Sequence, residues 1–169
     1  MGVAEDIEKI AAQEAALVFA AFDEATAFAL GSAIRERGLQ DKAPIIVDIR
    51  TFDRPLFYAA LPGSTADNAE WARRKRNVVQ RFHKSTYRMV LEQQRPDRTF
   101  KPGSGIDSAD YVLAGGGFPV TVRGAGVIGV IAVSGLPERD DHGIIVATLC
   151  EHLGVDATAL ALGPLAADK

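Results

Sequence analysis

Lys75 occupies the most unusual position in this sequence, because it falls among apolar residues of a predicted helix. At about 100° per residue, Trp71 and Val78 share one side of that helix, and Lys75 projects near the middle of the same stripe. A buried ammonium must find a carboxylate, a carbonyl or an anionic ligand, or extend to solvent. Two interpretations stay open: a structural lysine, in an ion pair or a subunit contact, and a lysine that faces a ligand.

Asp48 and Arg50 form a second unusual feature, because they share one face of a predicted strand rich in apolar residues. Opposite charges two positions apart on a covered face indicate either a structural ion pair or a polar site. Asp48 is also a candidate partner for Lys75. His83 lies at the margin of the helical stripe, where it is either a structural hydrogen-bond partner or a ligand or proton carrier at the rim of a cleft.

The region from position 73 to position 101 contains ten basic residues, although the whole chain has 19 Lys and Arg against 22 Asp and Glu. Such a patch is able to bind an anion, propionate groups or RNA phosphate. It lacks interleaved exposed aromatic residues, and the rest of the chain is acidic. We therefore interpret it as a solvated face or a contact with an acidic neighbouring subunit, and nucleic acid is not an expected partner.

The familiar catalytic and metal motifs are incomplete. The glycines at 115–117 lack a P-loop ending, and the residues before Ser134 do not make a nucleophile elbow. His142 and His152 are ten positions apart, so we predict capping or surface roles and no metal site. Cys150 is the only cysteine, which excludes an internal disulfide and favours a buried, inert thiol.

Composition places the chain among ordinary globular proteins. It has 169 residues, of which 47% are hydrophobic and 24% charged, which fits a single domain over 1–169. No apolar run approaches the length of a membrane span, and the acidic first segment does not read as an export signal. With a lone cysteine, we expect a cytoplasmic protein that has no membrane partner.

Hydrophobic periodicity and turn residues predict the elements that position these side chains. The predicted helices cover 3–14, 67–91 and 106–111, with one more from Asp23 to Gly38 and a last one that is capped by Asp140 or Asp141 and ends at Gly154. The predicted strands cover 17–22, 45–50, 56–61, 118–123 and 127–134, the last four as two hairpins. We expect residues 163–169 to form a flexible tail.

The strand at 127–133 is apolar at almost every position, so both of its faces should be buried. A hairpin sheet that is covered on both faces needs helices on both sides. The pattern therefore predicts a mixed α/β (α+β) fold of three layers, α/β/α, around about five mainly antiparallel strands. Gly129 inside this strand indicates a bulge or a close approach of another backbone.

Several motifs between residues 17 and 154 resemble the HbpS/GlcG-like superfamily, often labelled "heme-degrading", and within it a cytosolic branch of uncharacterised (UPF) proteins. The motifs are VDIR at 47–50, LFYAALPG at 56–63, DN at 67–68 with WARRKR at 71–76, RFHKS at 81–85, GGGFPV at 115–120, GVIAVSGLP at 129–137 and DH at 141–142. The resemblance implies a profilin-like five-stranded sheet with helices on both faces and homo-oligomers built from dimers. It does not imply one reaction: some members bind heme, and others occur beside glycolate-oxidation or cobalamin enzymes.

The residues shared with that branch are candidates for a common ligand-binding site, although none matches an established catalytic position. They are Asp48, Arg50, Trp71, Lys75, His83, Phe118, Ser134 and His142. Our first hypothesis is an oligomeric protein whose cleft binds an anionic small molecule, with heme as the named candidate. Lys75, Arg50 and the basic helix would then meet carboxylates, His83 would offer an axial nitrogen, and Trp71 and Phe118 would form apolar walls.

Two other hypotheses remain open. One is an enzyme that acts on heme or a small metabolite, with His83 or Lys75 as the acid–base group. The other is a purely structural or assembly module, in which the charged helix makes subunit contacts and binds no ligand.

Overall fold

The computed structural model describes residues 2–165, which fold around one five-stranded sheet with the strand order β1-β4-β5-β2-β3. The strands are β1 (Val18–Phe19), β2 (Ile46–Thr51), β3 (Arg54–Ala60), β4 (Gly117–Val122) and β5 (Gly126–Ser134). The helices are α1 (Val3–Ala16), α2 (Glu24–Gln40), α3 (Ala66–Phe82), α4 (Thr86–Gln93), α5 (Glu138–Leu153) and α6 (Ala157–Leu160). Strand β1 pairs with β4 in parallel, and the pairs β2–β3, β2–β5 and β4–β5 are antiparallel.

The sheet has helices on both faces, as the apolar pattern of β5 predicts. On one face, Val47 of β2 packs in the same cluster as Leu30 of α2 and Ile145 of α5. On the other face, Ile46 packs against Ala72 of α3. Because alternate residues of a strand point to opposite faces, β2 contributes to both layers of the core. The three-layer prediction is confirmed.

Both predicted hairpins are present, β2–β3 and β4–β5. Gly129 of β5 shows both features that the sequence allowed, a bulge and a close approach of another backbone. The register of β4 with β5 shifts beside it, between Val120 and Thr121, and a Cβ at Gly129 would collide with the carbonyl oxygen of Arg50. Only glycine therefore lets β5 lie this close to β2.

The predicted helix over 67–91 is wrong, because the chain forms α3 and α4 instead. His83 adopts the left-handed backbone conformation with φ of 55° and ends α3. The N–H of Ser85 is then bound by the carboxylate of Glu14 in α1, at 2.7 Å, rather than by the preceding turn. The apolar period continues across this break, so the sequence pattern contained no stop signal.

Other element boundaries also differ from the prediction. Strand β1 is shorter than 17–22, and residues 106–111 form turns rather than a helix. Helix α2 passes through Gly38, where the side chains of Leu61 and Ile45 pack too close for a Cβ. Helix α5 begins at Glu138 after Pro137 rather than at an aspartate cap, although it ends at Gly154 as predicted.

The prediction of a flexible tail at 163–169 falls partly on residues 166–169, which lie outside the described residues. Within the described part, the carbonyl of Gly163 accepts a hydrogen bond from Arg139. Across residues 2–165, no helix is long and apolar enough to cross a membrane.

Candidate functional site

Lys75 lies in the middle of α3, on the side that packs against β5, and its side chain is only 3% exposed. Its Nζ atom donates to Oδ2 of Asp141 at 3.0 Å and to the carbonyl oxygen of Val133 at 2.9 Å. The buried position matches the helical stripe in the sequence. Asp48, a candidate partner of Lys75 in the sequence, is not its partner, because Asp141 in the first turn of α5 takes that place.

A glycine segment lets α3, β5 and α5 meet at this point. Gly116 has a φ of 117°, and a Cβ there would lie 2.7 Å from Nζ of Lys75 and 2.9 Å from Cβ of Asp141. A side chain at this position would push the ion pair apart. Gly116 is thus required by close packing around Lys75.

Burial acts on both members of the pair. It lowers the pKa of Lys75 and raises the pKa of Asp141, and in each case the opposite charge of the partner counteracts this effect. Both partners of Nζ are acceptors, and the Asp141 carboxylate accepts from Nζ and from the N–H of Leu136. This hydrogen-bond pattern fits an ammonium paired with a carboxylate.

The ion pair lies at the wall of an open cavity of about 350 Å³, which we call the lysine cleft. Its lining includes Lys75, Asp141, Trp71, Ser134, Arg98 and Glu138. Arg98 and Glu138 form an ion pair of 3.1 Å across the lining, and Glu138 also accepts from the N–H of Gly115. The volume lies at the lower end of the range for small-molecule sites.

Trp71 is held on the rim of the lysine cleft by contacts within α3. Its Nε1 donates to Asp67 at 3.0 Å, and the guanidinium of Arg74 lies 4.5 Å from the ring centroid. Ser134, at the end of β5, is 4% exposed. Of the eight candidate residues, only Lys75, Trp71 and Ser134 line this cleft.

Asp48, Arg50 and Arg76 form a separate group, which we call the arginine cluster. Nε of Arg50 donates to both oxygens of Asp48, at 2.9 and 3.2 Å, and Nη1 of Arg76 donates to Oδ2 at 2.6 Å. The predicted pairing of Asp48 with Arg50 is present, but the sequence did not identify Arg76. His83 is exposed and stacks on Phe52 with a centroid distance of 6.2 Å, outside the lysine cleft.

Phe118 and His142 form a third group beside the core. Phe118 belongs to the apolar cluster of α2 and α5, so it does not form a wall of the lysine cleft with Trp71. His142 is fully buried, which contradicts the predicted surface or capping role. Cys150 is buried as predicted, and burial raises the pKa of its thiol.

The ring of His142 has an unusual set of contacts. Its Nε2 lies 2.7 Å from Oε1 of Gln13, an atom that only accepts, so Nε2 carries the proton. Its Nδ1 has no hydrogen-bond partner within residues 2–165. The rings of Tyr87 and Phe118 lie beside the imidazole, with centroid distances of 5.5 and 5.8 Å. Burial lowers the pKa of His142 to about 3, which keeps the imidazole neutral near pH 7.

Many charges of the basic stretch between 73 and 101 are paired within the chain, and its contact with a neighbouring subunit stays a prediction. Arg73 pairs with Asp110 at 2.9 Å, and Arg88 pairs with Glu14 at 2.6 Å. Both carboxylates lie well outside the basic stretch in sequence. Long-range ion pairs therefore balance a charge excess that appears strong in the local sequence.

A comparison with protein families identifies the group to which this fold belongs. The model described as "Haem degrading protein HbpS-like" matches residues 22–150. The chain belongs to the HbpS-like family. This result confirms the resemblance seen in the motifs of the sequence.

Two curated relatives of this HbpS-like protein are UPF0303 proteins. The one from Mesorhizobium japonicum is 70% identical over 162 residues, which cover 96% of this chain and 97% of the relative. The one from Brucella melitensis is 58% identical over 156 residues, with 92% of each chain covered.

Solved structures share the architecture of this HbpS-like protein. The crystal structure of the Ybr137w protein has a TM-score of 0.80 and 26% identity, covering 88% of this chain and 87% of its own. The PduOC:Heme complex has a TM-score of 0.63 and 20% identity, covering 79% and 94%. HbpS has a TM-score of 0.59 and 23% identity, covering 79% and 90%. The last two similarities show a common fold.

Proposed function

We propose that this HbpS-like protein binds a small carboxylate-bearing molecule in the lysine cleft. The observation that carries the proposal is the unused donor of Lys75. An ammonium has three N–H groups, and Nζ has two hydrogen-bond partners in the described part of the chain. One N–H group remains for an oxygen of a ligand, at the wall of an open cavity.

Other lining groups support a ligand with one carboxylate at this position. The hydroxyl of Ser134 lines the same cleft and has no hydrogen-bond partner within residues 2–165. Trp71 supplies an apolar wall for the rest of the ligand. The charges of the lining residues balance, because Glu138 pairs with Arg98 and Asp141 pairs with Lys75. This balance favours a carboxylate that is recognised by hydrogen bonds rather than a polyanion that is held by charge.

Heme is the first candidate ligand, because the family model is named for haem degradation and PduOC was crystallised with heme. The propionate groups of heme are carboxylates of the required kind. The iron is fitted less well, because the described lining residues include no His, Cys, Met or Tyr to serve as its axial ligand. We therefore place a propionate in the lysine cleft and assign no reaction to the iron.

Fluorescence quenching tests this proposal, because Trp71 is the only tryptophan of the chain. The protein is titrated with heme, iron-free protoporphyrin IX and protoporphyrin IX dimethyl ester. We expect the two free acids to bind with similar Kd values, and the ester to bind at least about tenfold more weakly, or about 1.4 kcal/mol. Ser134→Ala should weaken the free acids by about three- to tenfold, or roughly one hydrogen bond, and Ser108→Ala in an exposed loop should not.

Each other outcome excludes a part of the proposal. Equal binding of the acid and the ester would reject carboxylate recognition. If porphyrin binding requires iron and disappears in His83→Ala, heme binds through His83 as an axial ligand and not through a propionate in the lysine cleft. If no porphyrin quenches Trp71, heme is rejected. Calorimetry with lactate and succinate then tests small carboxylates, and the absence of binding overturns the proposal.

We also propose that the protein forms a homo-oligomer. Phe28 of α2 and Tyr58 of the edge strand β3 are 65% and 51% exposed, and their burial would favour self-association. A monomeric mass by light scattering would contradict this proposal.

A further inference from the structure

We propose that the arginine cluster is a second binding site, which takes a phosphate group. Arg50 and Arg76 line a small cavity of about 180 Å³ together with Asn77 and Gln80. The cluster is separate from the lysine cleft, because the two cavities share no lining residue. The proposal is therefore independent of the function assigned to Lys75.

The charges of the cluster do not balance. Two guanidinium groups share the carboxylate of Asp48, which is itself 2% exposed and accepts from both. The three side chains therefore carry one excess positive charge next to the cavity. An oxyanion in the cavity would neutralise this excess, whereas a second cation would be repelled.

Most N–H groups of the two arginines remain available. A guanidinium has five N–H donors on three nitrogens. Arg50 uses only Nε, and Arg76 uses only Nη1, in hydrogen bonds within residues 2–165. Planar guanidinium groups bind phosphate through pairs of parallel hydrogen bonds, so the two side chains offer several donors to one tetrahedral anion.

The two guanidinium groups also repel one another. The pKa of Arg76 is lowered, first by burial and further by the positive charge of Arg50, while Asp48 opposes both effects. A bound anion would relieve the repulsion and offset the desolvation of Arg76.

The size of the cavity and the roles of its other polar groups define the ligand more closely. The volume of about 180 Å³ is below that of ordinary small-molecule pockets, so the cavity suits a phosphate group rather than a whole metabolite. Thr51, also in the lining, already donates its hydroxyl to Asp53. The arginine donors therefore dominate recognition, and the remainder of a phosphate ester would extend into solvent.

Calorimetry with inorganic phosphate at constant ionic strength tests the proposal. We expect saturable binding with one phosphate per chain. Arg50→Lys keeps the positive charge beside Asp48 but removes the planar fork, so it should weaken binding at least tenfold. Arg123→Lys, at an exposed position outside the cavity, should change the Kd by less than twofold. Ser134→Ala in the lysine cleft should also leave phosphate binding unchanged.

Ribose 5-phosphate and ribose distinguish an ester from the free ion. Binding of ribose 5-phosphate but not ribose supports a phosphate ester, and binding of inorganic phosphate alone supports the free ion. Thermal unfolding verifies that Arg50→Lys is folded, and Arg76→Lys provides a second variant if it is not. Absence of saturable binding of both inorganic phosphate and ribose 5-phosphate to the wild type, or equal weakening by Arg50→Lys and Arg123→Lys, overturns the proposal.

Discussion

The lysine cleft and the arginine cluster each hold a buried carboxylate beside cations, but they balance charge in different ways. In the cleft, one ammonium meets one carboxylate, and the two side chains are 3% and 2% exposed. In the cluster, the side chain of Asp48 is 3% exposed, whereas Arg50 and Arg76 are 32% and 17% exposed. The first arrangement is a neutral pair of buried side chains. The second has excess positive charge and access to solvent.

This difference predicts different consequences when a partner is lost. The side chain of Lys75 is almost fully buried, so its charge depends on Asp141. The guanidinium groups of the cluster are partly hydrated and can turn towards solvent, so they depend less on Asp48. We therefore expect the cleft to respond to mutation mainly through stability, and the cluster mainly through binding.

The largest expected effect is that of Asp141→Asn. The substitution keeps the shape of the side chain but leaves the ammonium of Lys75 buried without its counter-charge. We expect the free energy of unfolding at pH 7 to fall by about 3 kcal/mol or more, measured by urea denaturation. The neighbouring exposed residue provides the control, because Asp140→Asn should change it by less than about 0.5 kcal/mol.

A double variant sharpens this test. Replacing both partners, with Lys75→Met and Asp141→Leu, removes the buried charges together. The double variant should be more stable than either single variant, because no unpaired charge remains. If Asp141→Asn costs less than about 1 kcal/mol, Lys75 does not depend on its partner, and the contrast with the arginine cluster fails.

A smaller effect is expected for Asp48→Asn in the arginine cluster. We expect a loss of about 2 kcal/mol in the same denaturation experiment, because charged hydrogen bonds are lost but both arginines can hydrate. Phosphate affinity should rise, because the negative charge beside the cavity is removed. Asp41→Asn at an exposed position provides the control. A loss of stability as large as that for Asp141→Asn, with no change in phosphate affinity, would contradict the proposed difference between the lysine cleft and the arginine cluster.

The sequence predicted those parts of the fold that follow from local periodicity. Apolar runs joined by short turns predicted the hairpins, and the apolar run in β5 predicted the two covered faces. The position of Lys75 in the stripe of α3 predicted its burial, because the angular position of a side chain on a helix is a local property.

The partners of the charged residues did not follow from local patterns. Asp141 has the position and residue type of a helix cap, and this local explanation concealed its role as the partner of a lysine 66 residues earlier. Arg76 belongs to a basic run that appeared solvated, yet it reaches a carboxylate 28 residues away. Such pairings depend on how the helices pack against the sheet, which no single segment specifies.

His142 illustrates a related limit, because its position near the start of α5 suggested exposure. Its burial depends on α1, which places Gln13 against the ring. The end of α3 was also not predictable from the local sequence. His83 takes the left-handed conformation there, and no glycine or proline marks the end of the helix.

An effect no larger than that of Asp48→Asn separates the pH response of His142 from that of its neighbour Asp141. Burial lowers the pKa of His142 from 6.5 to about 3, so between these values the unfolded chain binds a proton that the folded chain does not. Stability should therefore fall as the pH is lowered through this range. The expected loss from pH 7 to pH 5 is about 2 kcal/mol.

The raised pKa of Asp141 acts in the opposite direction over the acidic part of this range, so the wild-type slope alone is ambiguous. The difference between wild type and His142→Gln isolates the histidine, because Gln retains a donor for Gln13 and does not titrate. Urea denaturation at pH 7 and pH 5 should show a loss smaller by about 2 kcal/mol in His142→Gln. His152→Gln, at the exposed end of the same helix, should retain the wild-type loss. An unchanged loss in His142→Gln would mean that the acid response does not arise from His142, and the titration of the lysine cleft would then be the next explanation to test.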